Sequence, residues 1–113
     1  MFDRDGYPTK ATLNKIRNWK VKDINGLLDF IAKAWKYQDW GVCFTLNKEE
    51  AKILFAEKGE RYLRLATGGW SGNESLIKAF KENKNYLWMF TWQLSARGGL
   101  FIFKYYIAPK KGK

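Results

Sequence analysis

The sequence predicts an α+β domain: N-terminal helices followed by an antiparallel β-sheet with one helix packed on it. Three features carry this expectation. Over residues 24–35 the apolar side chains Ile24, Leu27, Leu28, Ile31 and Trp35 recur at helical spacing. Residues 62–66 and 86–94 alternate as half-buried strands do. Two glycine-containing bends, at 67–72 and 95–99, punctuate the second half where an antiparallel chain has to reverse.

Taken in order, Tyr7-Pro8-Thr9 is an extended approach to a first helix, with Leu13, Ile16 and Trp19 about one turn apart. Asp23 is placed to cap a second helix running to about Lys36, with Phe30 and Ala34 widening its apolar face. Gln38-Asp39-Trp40-Gly41 breaks that pattern, and residues 42–46 form a short strand. Asn47 with Glu50 resembles a capping box, and Gly59 suits a helix end, which favours a helix over 48–58. The alternative pairs 52–56 with the strand at 62–66. Residues 73–83 form a helix with Leu76, Ile77 and Phe80 inward. The strand 86–94 sets Tyr86, Trp88, Phe90, Trp92 and Leu94 on one face, and residues 100–107 run back as its partner.

Residues 1–108 suffice for a single domain, and Pro109-Lys110-Lys111-Gly112-Lys113 forms a basic tail. The chain holds 21 Lys and Arg against 11 Asp and Glu, a net charge of +10. It has no histidine and one cysteine, Cys43. This excludes an internal disulfide, a His/Cys zinc site and any Ser-His-Asp or Cys-His catalytic unit supplied by this chain alone. Cys43 reads as a small buried hydrophobe, and a lone thiol suits a reducing, cytoplasmic setting. No membrane span or signal peptide is expected. The eleven acids show no glycosidase or metal-binding constellation, and nothing in the spacing of Asp39 and Glu74 recommends a hydrolase. The chain is therefore expected to be non-enzymatic, with no metal and no cofactor.

Candidate binding residues fall in two bends. In Thr67-Gly68-Gly69-Trp70-Ser71-Gly72-Asn73-Glu74, glycines let a ligand approach the main chain, and Ser71 or Asn73 can cap the helix that follows. The spacing matches neither a P-loop nor a dinucleotide fingerprint. A plain strand-to-helix connector with Trp70 tucked inward is the simpler reading. In Ser95-Ala96-Arg97-Gly98-Gly99, Arg97 can present its guanidinium to an anion, or the segment is only a hairpin turn. Trp40, Trp70, Trp88 and Trp92 give indole faces on which a nucleobase can stack, although Trp88, Phe90 and Trp92 also fit ordinary core packing. The positive charge is dispersed lysine, with no RRM, KH or helix-turn-helix signature.

Several of these residues together resemble a family of small proteins encoded mainly by bacteriophages and prophages. They are Tyr7-Pro8-Thr9, Ile16, Trp19, Trp35, Asp39-Trp40-Gly41, the block from Thr67 to Glu74, Trp92, Ser95 and Arg97-Gly98-Gly99. The resemblance covers most of the chain. It departs from the family pattern at Ala96, where a second arginine is usual, and at Leu100, where a histidine is usual. Residues 47–61 look like an insertion. The family implies no established activity. Its context suggests, by analogy, a counter-defence protein that sequesters a small phosphorylated nucleotide.

On that reading Gly68, Gly69 and the amides of Ser71–Asn73 cradle phosphate, and Arg97, flanked by Ser95 and Gly98, supplies counter-charge. Trp70, with Trp92 or Trp40, stacks on the base, while Asn73 or Glu74 reads hydroxyls or ring edges beside Thr67. Assembly of several copies is the expected way to enclose the ligand. The alternative is an inhibitor that binds nucleic acid or protein through its basic surface.

Overall fold

The computed structural model describes residues 2–106; the expected continuation of the last strand to Ile107 and the basic tail lie outside the described residues. Its elements are α1 (Lys10–Arg17), α2 (Ile24–Ala34), α3 (Gln38–Gly41), β1 (Val42–Cys43), α4 (Lys48–Ile53), β2 (Tyr62–Ala66), α5 (Ser71–Lys81), α6 (Leu87–Thr91), β3 (Trp92–Ala96) and β4 (Leu100–Lys104). The strands form one antiparallel sheet in the order β1-β2-β4-β3. The fold is α+β.

α1 begins where Thr9 accepts a hydrogen bond from the Thr12 amide at 3.2 Å. A short 3-10 turn at Val21–Asp23 leads into α2, and Asp23 holds the cap position without a side-chain bond. α2 ends at Ala34, before the expected Lys36, because Trp35 leaves helical geometry at φ −73°, ψ 135°. Its indole N–H then donates to the Ala66 carbonyl at 2.9 Å, tying the helix end to β2. β1 is only two residues long, shorter than the expected 42–46.

The choice over residues 48–58 resolves as a helix, shortened to α4. Asn47 and Glu50 make the capping box in both directions, at 2.8 and 3.1 Å. Glu50 also pairs with Arg64 of β2 at 2.9 Å, so α4 is anchored over the outer sheet face. Cys43, half-buried rather than fully buried, lies beside this contact. The Thr45 hydroxyl at 3.2 Å from its sulfur lowers the thiol pKa, helped by a backbone hydrogen bond at Thr45 and by the charge of Arg64.

Residues 86–94, expected as a single strand, divide into α6 and the start of β3. Tyr86 adopts left-handed geometry at φ 58°, which breaks the extended run and starts one helical turn. Leu87 and Thr91, four residues apart, turn inward together, whereas Phe90 and Trp92 are exposed. Of the three aromatics read as core, only Trp88 packs there, edge-on to Phe80, Phe101 and Phe103 at 5.1–5.9 Å. α5 starts at Ser71, with Trp70 and not Ser71 or Asn73 as its cap residue, and no side-chain cap bond forms.

The core lies between the inner sheet face and the helices. Leu63, Leu65 and Phe103 meet Ile16, Leu27, Leu28, Ile31, Leu76 and Phe80, all without measurable exposure. Each such side chain contributes about 1.5–3 kcal/mol. Tyr105 closes the far end, its hydroxyl donating to Asp29 at 2.8 Å.

Candidate functional site

Register places the two predicted bends side by side. Ala66 pairs with Leu100 at the end of the sheet, so the turn after β2 abuts the β3–β4 hairpin, and the Thr67 amide donates to the Gly99 carbonyl at 3.0 Å. Thr67 is buried, and its hydroxyl accepts from the Gly69 amide at 3.3 Å. Gly68 takes φ +62°, and a Cβ there would stand 2.1 Å from the Trp40 ring. The absent side chain is what lets the edge of the indole, at Cη2, come against the turn.

Trp40 is 54% exposed and stacks on Tyr37, ring centroids 5.4 Å apart and planes 13° from parallel. Tyr37 holds left-handed geometry at φ 67°, a conformation that disfavours a bulky residue. Here it presents the phenol ring to Trp40. The Trp70 ring lies edge-on to Tyr37 at 6.4 Å and 4.6 Å from Tyr7. The Ser71 hydroxyl donates to the Tyr7 hydroxyl at 3.2 Å. Over this cluster sits Lys36, its ammonium 3.9 Å from the Trp70 centroid and 5.5 Å from that of Tyr37. Among the described residues Lys36 has no carboxylate partner. A half-buried cation held by ring faces keeps its charge available to an anion.

Asn73 builds this arrangement and is spent on doing so. It is 1% exposed; its carbonyl accepts from the Lys36 amide at 2.9 Å, and its NH₂ donates to the Lys36 and Thr67 carbonyls at 3.1 and 3.3 Å. The expected role of Asn73 as a ligand reader therefore gives way to a structural one. It fastens the 36–37 bend to the 67–70 turn.

On the other side of Thr67 lies a hollow of about 280 Å³, lined by Thr67, Glu74, Ile77, Lys78, Lys81, Gly99 and Phe101. Glu74 thus borders open space with two lysines one and two turns along α5. Arg97 and Gly98 occupy the exposed hairpin tip, and Arg97 has no carboxylate partner among the described residues. Trp92 does not join Trp40 and Trp70. It sits at the opposite end of β3, and its indole donates to Ser95 at 2.7 Å.

The site thus brings together Trp40, Thr67, Gly68, Gly69, Trp70 and Ser71, with Glu74, Gly98 and Arg97 on its margins. Tyr7, Lys36 and Tyr37 belong to it as well. The signal for Lys36 and Tyr37 was the break after Trp35, where these two residues precede Trp40. Comparison with protein-family models, curated proteins and solved structures gave no match. No helix among the described residues is long and apolar enough to cross a membrane.

Proposed function

We propose that this protein is a non-enzymatic binder that captures and sequesters a small phosphorylated nucleotide, in the manner of a phage counter-defence factor. The observation that carries the reading is the exposed Tyr37–Trp40 stack set edge-on against Gly68 beside Lys36, a cation held over the Trp70 ring with no carboxylate partner among the described residues. A nucleobase lies on the free face of Trp40, where ring stacking is worth about 1–3 kcal/mol. Phosphate meets Lys36 and the backbone of Gly68 and Gly69, with Arg97 adding charge from the adjoining hairpin. Such a site offers stacking faces and cations, which suits retention of a phosphorylated ring compound.

The test is calorimetric titration and thermal-shift measurement with a panel of mononucleotides and dinucleotides. At least one is expected to raise the melting temperature, with the gain lost in Trp40→Ala and weakened at least tenfold in Lys36→Gln. Nucleotides that bind both variants like the parent would remove the site from this surface. If long nucleic acid alone binds, with affinity falling steeply as salt rises, the basic-surface alternative replaces capture.

A further inference from the structure

The far end of the sheet carries a second surface, unrelated to the aromatic cluster. Residues 85–96, bracketed by Lys84 and Arg97, include no Asp, Glu, Lys or Arg, although charged residues make up 28% of the chain. Within this run α6 is apolar on both sides. Leu87 and Thr91 face the core, while Met89 and Phe90 form the outer face, with Tyr86 exposed just ahead of the helix. Met89 is 76% exposed and Phe90 64%. Phe90 also lines a mostly apolar groove of about 580 Å³ with Val21, Ile24 and Tyr106, where Lys22 is the one charged neighbour.

Next to this face runs β3, which has a neighbouring strand on one side only. Native edge strands are commonly blunted by lysine, proline or extreme shortness. The other edge follows that rule, since β1 is two residues long. β3 carries no charge and no proline. Its register shift falls between Trp92 and Leu94, leaving residues 94–96 regular beyond it.

We infer that the outer face of α6 and the edge of β3 form a homodimer interface, with a second copy of this chain as the occupant. Charge selects that partner. Two chains of net charge +10 repel wherever lysines meet, and this uncharged stretch is the longest in the sequence, so it is the face on which copies approach with least repulsion. Geometry agrees: an antiparallel edge pairs with itself about a two-fold axis, and such an isologous contact closes. The two-residue β1 gives no strand for head-to-tail growth. Area agrees too. The exposed portions of Tyr86, Phe90, Trp92 and Tyr106 offer on the order of 500 Å² at ring sizes of this kind. Met89 and Val21 bring the total toward the roughly 800 Å² that one partner contributes to a stable interface. Because β3 lies at one edge of the sheet and the α3–β1 segment that carries Trp40 at the other, each copy keeps its cluster open. The dimer does not act by enclosing ligand.

Sedimentation equilibrium on the full chain is expected to give twice the 13.3 kDa protomer mass. The double variant Met89→Lys/Phe90→Lys alters side chains that are mostly solvated, so it is expected to keep the parental circular dichroism and dissociate at least tenfold more readily. As a check needing no variant, amide exchange over residues 86–96 is expected to slow as protein concentration rises. A monomer mass up to millimolar concentration, a dimer unchanged in the double variant, or exchange there independent of concentration would each overturn the assignment.

Discussion

Gly68 and Gly69 allow the contact beneath Trp40 to be weighed by itself. Both have positive φ, +62° and +75°, so an alanine at either costs about 1–2 kcal/mol for the left-handed backbone. Their surroundings differ. A Cβ on Gly68 would reach within 2.1 Å of the Trp40 ring, whereas one on Gly69 meets nothing within 4 Å. Gly68→Ala must therefore also push the indole off the turn and disturb its stack on Tyr37, a further cost of about 0.5–1.5 kcal/mol. Gly68→Ala is expected to lose about 2–3 kcal/mol and Gly69→Ala about 1–2. Denaturant unfolding of both variants, each with and without Trp40→Ala, measures the difference. In the Trp40→Ala background the two glycine variants should become alike, giving a coupling of about 1 kcal/mol between positions 40 and 68. Equal losses in the parent background, or no coupling, would refute the claim that the turn is shaped to carry the ring.

Two other expectations follow from buried polar groups. Asn73→Asp keeps the acceptor for the Lys36 amide but removes the donor to two carbonyls, so a loss of about 2–4 kcal/mol is expected by denaturant unfolding. Burial, and then its bond to Asp29, push the Tyr105 phenol well above its ordinary value. Below about pH 10 the phenol is protonated in both states and stability does not depend on it. Above that the unfolded chain ionises while the native one does not, so stability falls by about 1.4 kcal/mol per pH unit. Unfolding titrations on either side of pH 10 should show that Tyr105→Phe reduces this slope.

How far the fold could be read in advance depended on contrast between apolar and polar positions. α2 and α5 have one apolar face each, and their spacing placed them within two residues. The Asn47–Glu50 pair located α4 because a capping box is a local hydrogen-bond pattern that survives any packing. Residues 86–94 misled because α6 is apolar inside and out. With no polar face to set the period, Tyr86, Trp88, Phe90 and Trp92 mimic strand alternation, and the left-handed turn at Tyr86 leaves no mark on composition. At the candidate site the two bends meet only because β2 pairs with β4, and neither that non-consecutive pairing nor the register that joins Thr67 to Gly99 could be read from the order of the elements. Lys36 and Tyr37 were hidden because helical spacing carried the reading past Trp35. The bond from that indole to Ala66, a contact spanning 31 positions, and the Asn73 bonds to Lys36 end the helix early.

The first helix has an unusual dependence on what comes much later. Its C-terminal carbonyls are taken by the far end of α5: Asn83 donates to Ile16 at 2.7 Å, the Lys84 amide to Arg17 at 2.8 Å, and Asn85 to Trp19 at 2.7 Å. Arg17 and Glu82 add an ion pair at 2.8 Å. During synthesis, then, the opening segment can meet Phe30 of α2 early, but the partners of these carbonyls arrive only when some three-quarters of the polypeptide has emerged, and loop closure across that distance has to precede its consolidation. A ribosome stalled before residue 82 would carry a nascent chain whose leading turn remains open to proteases, and releasing the stall would close it.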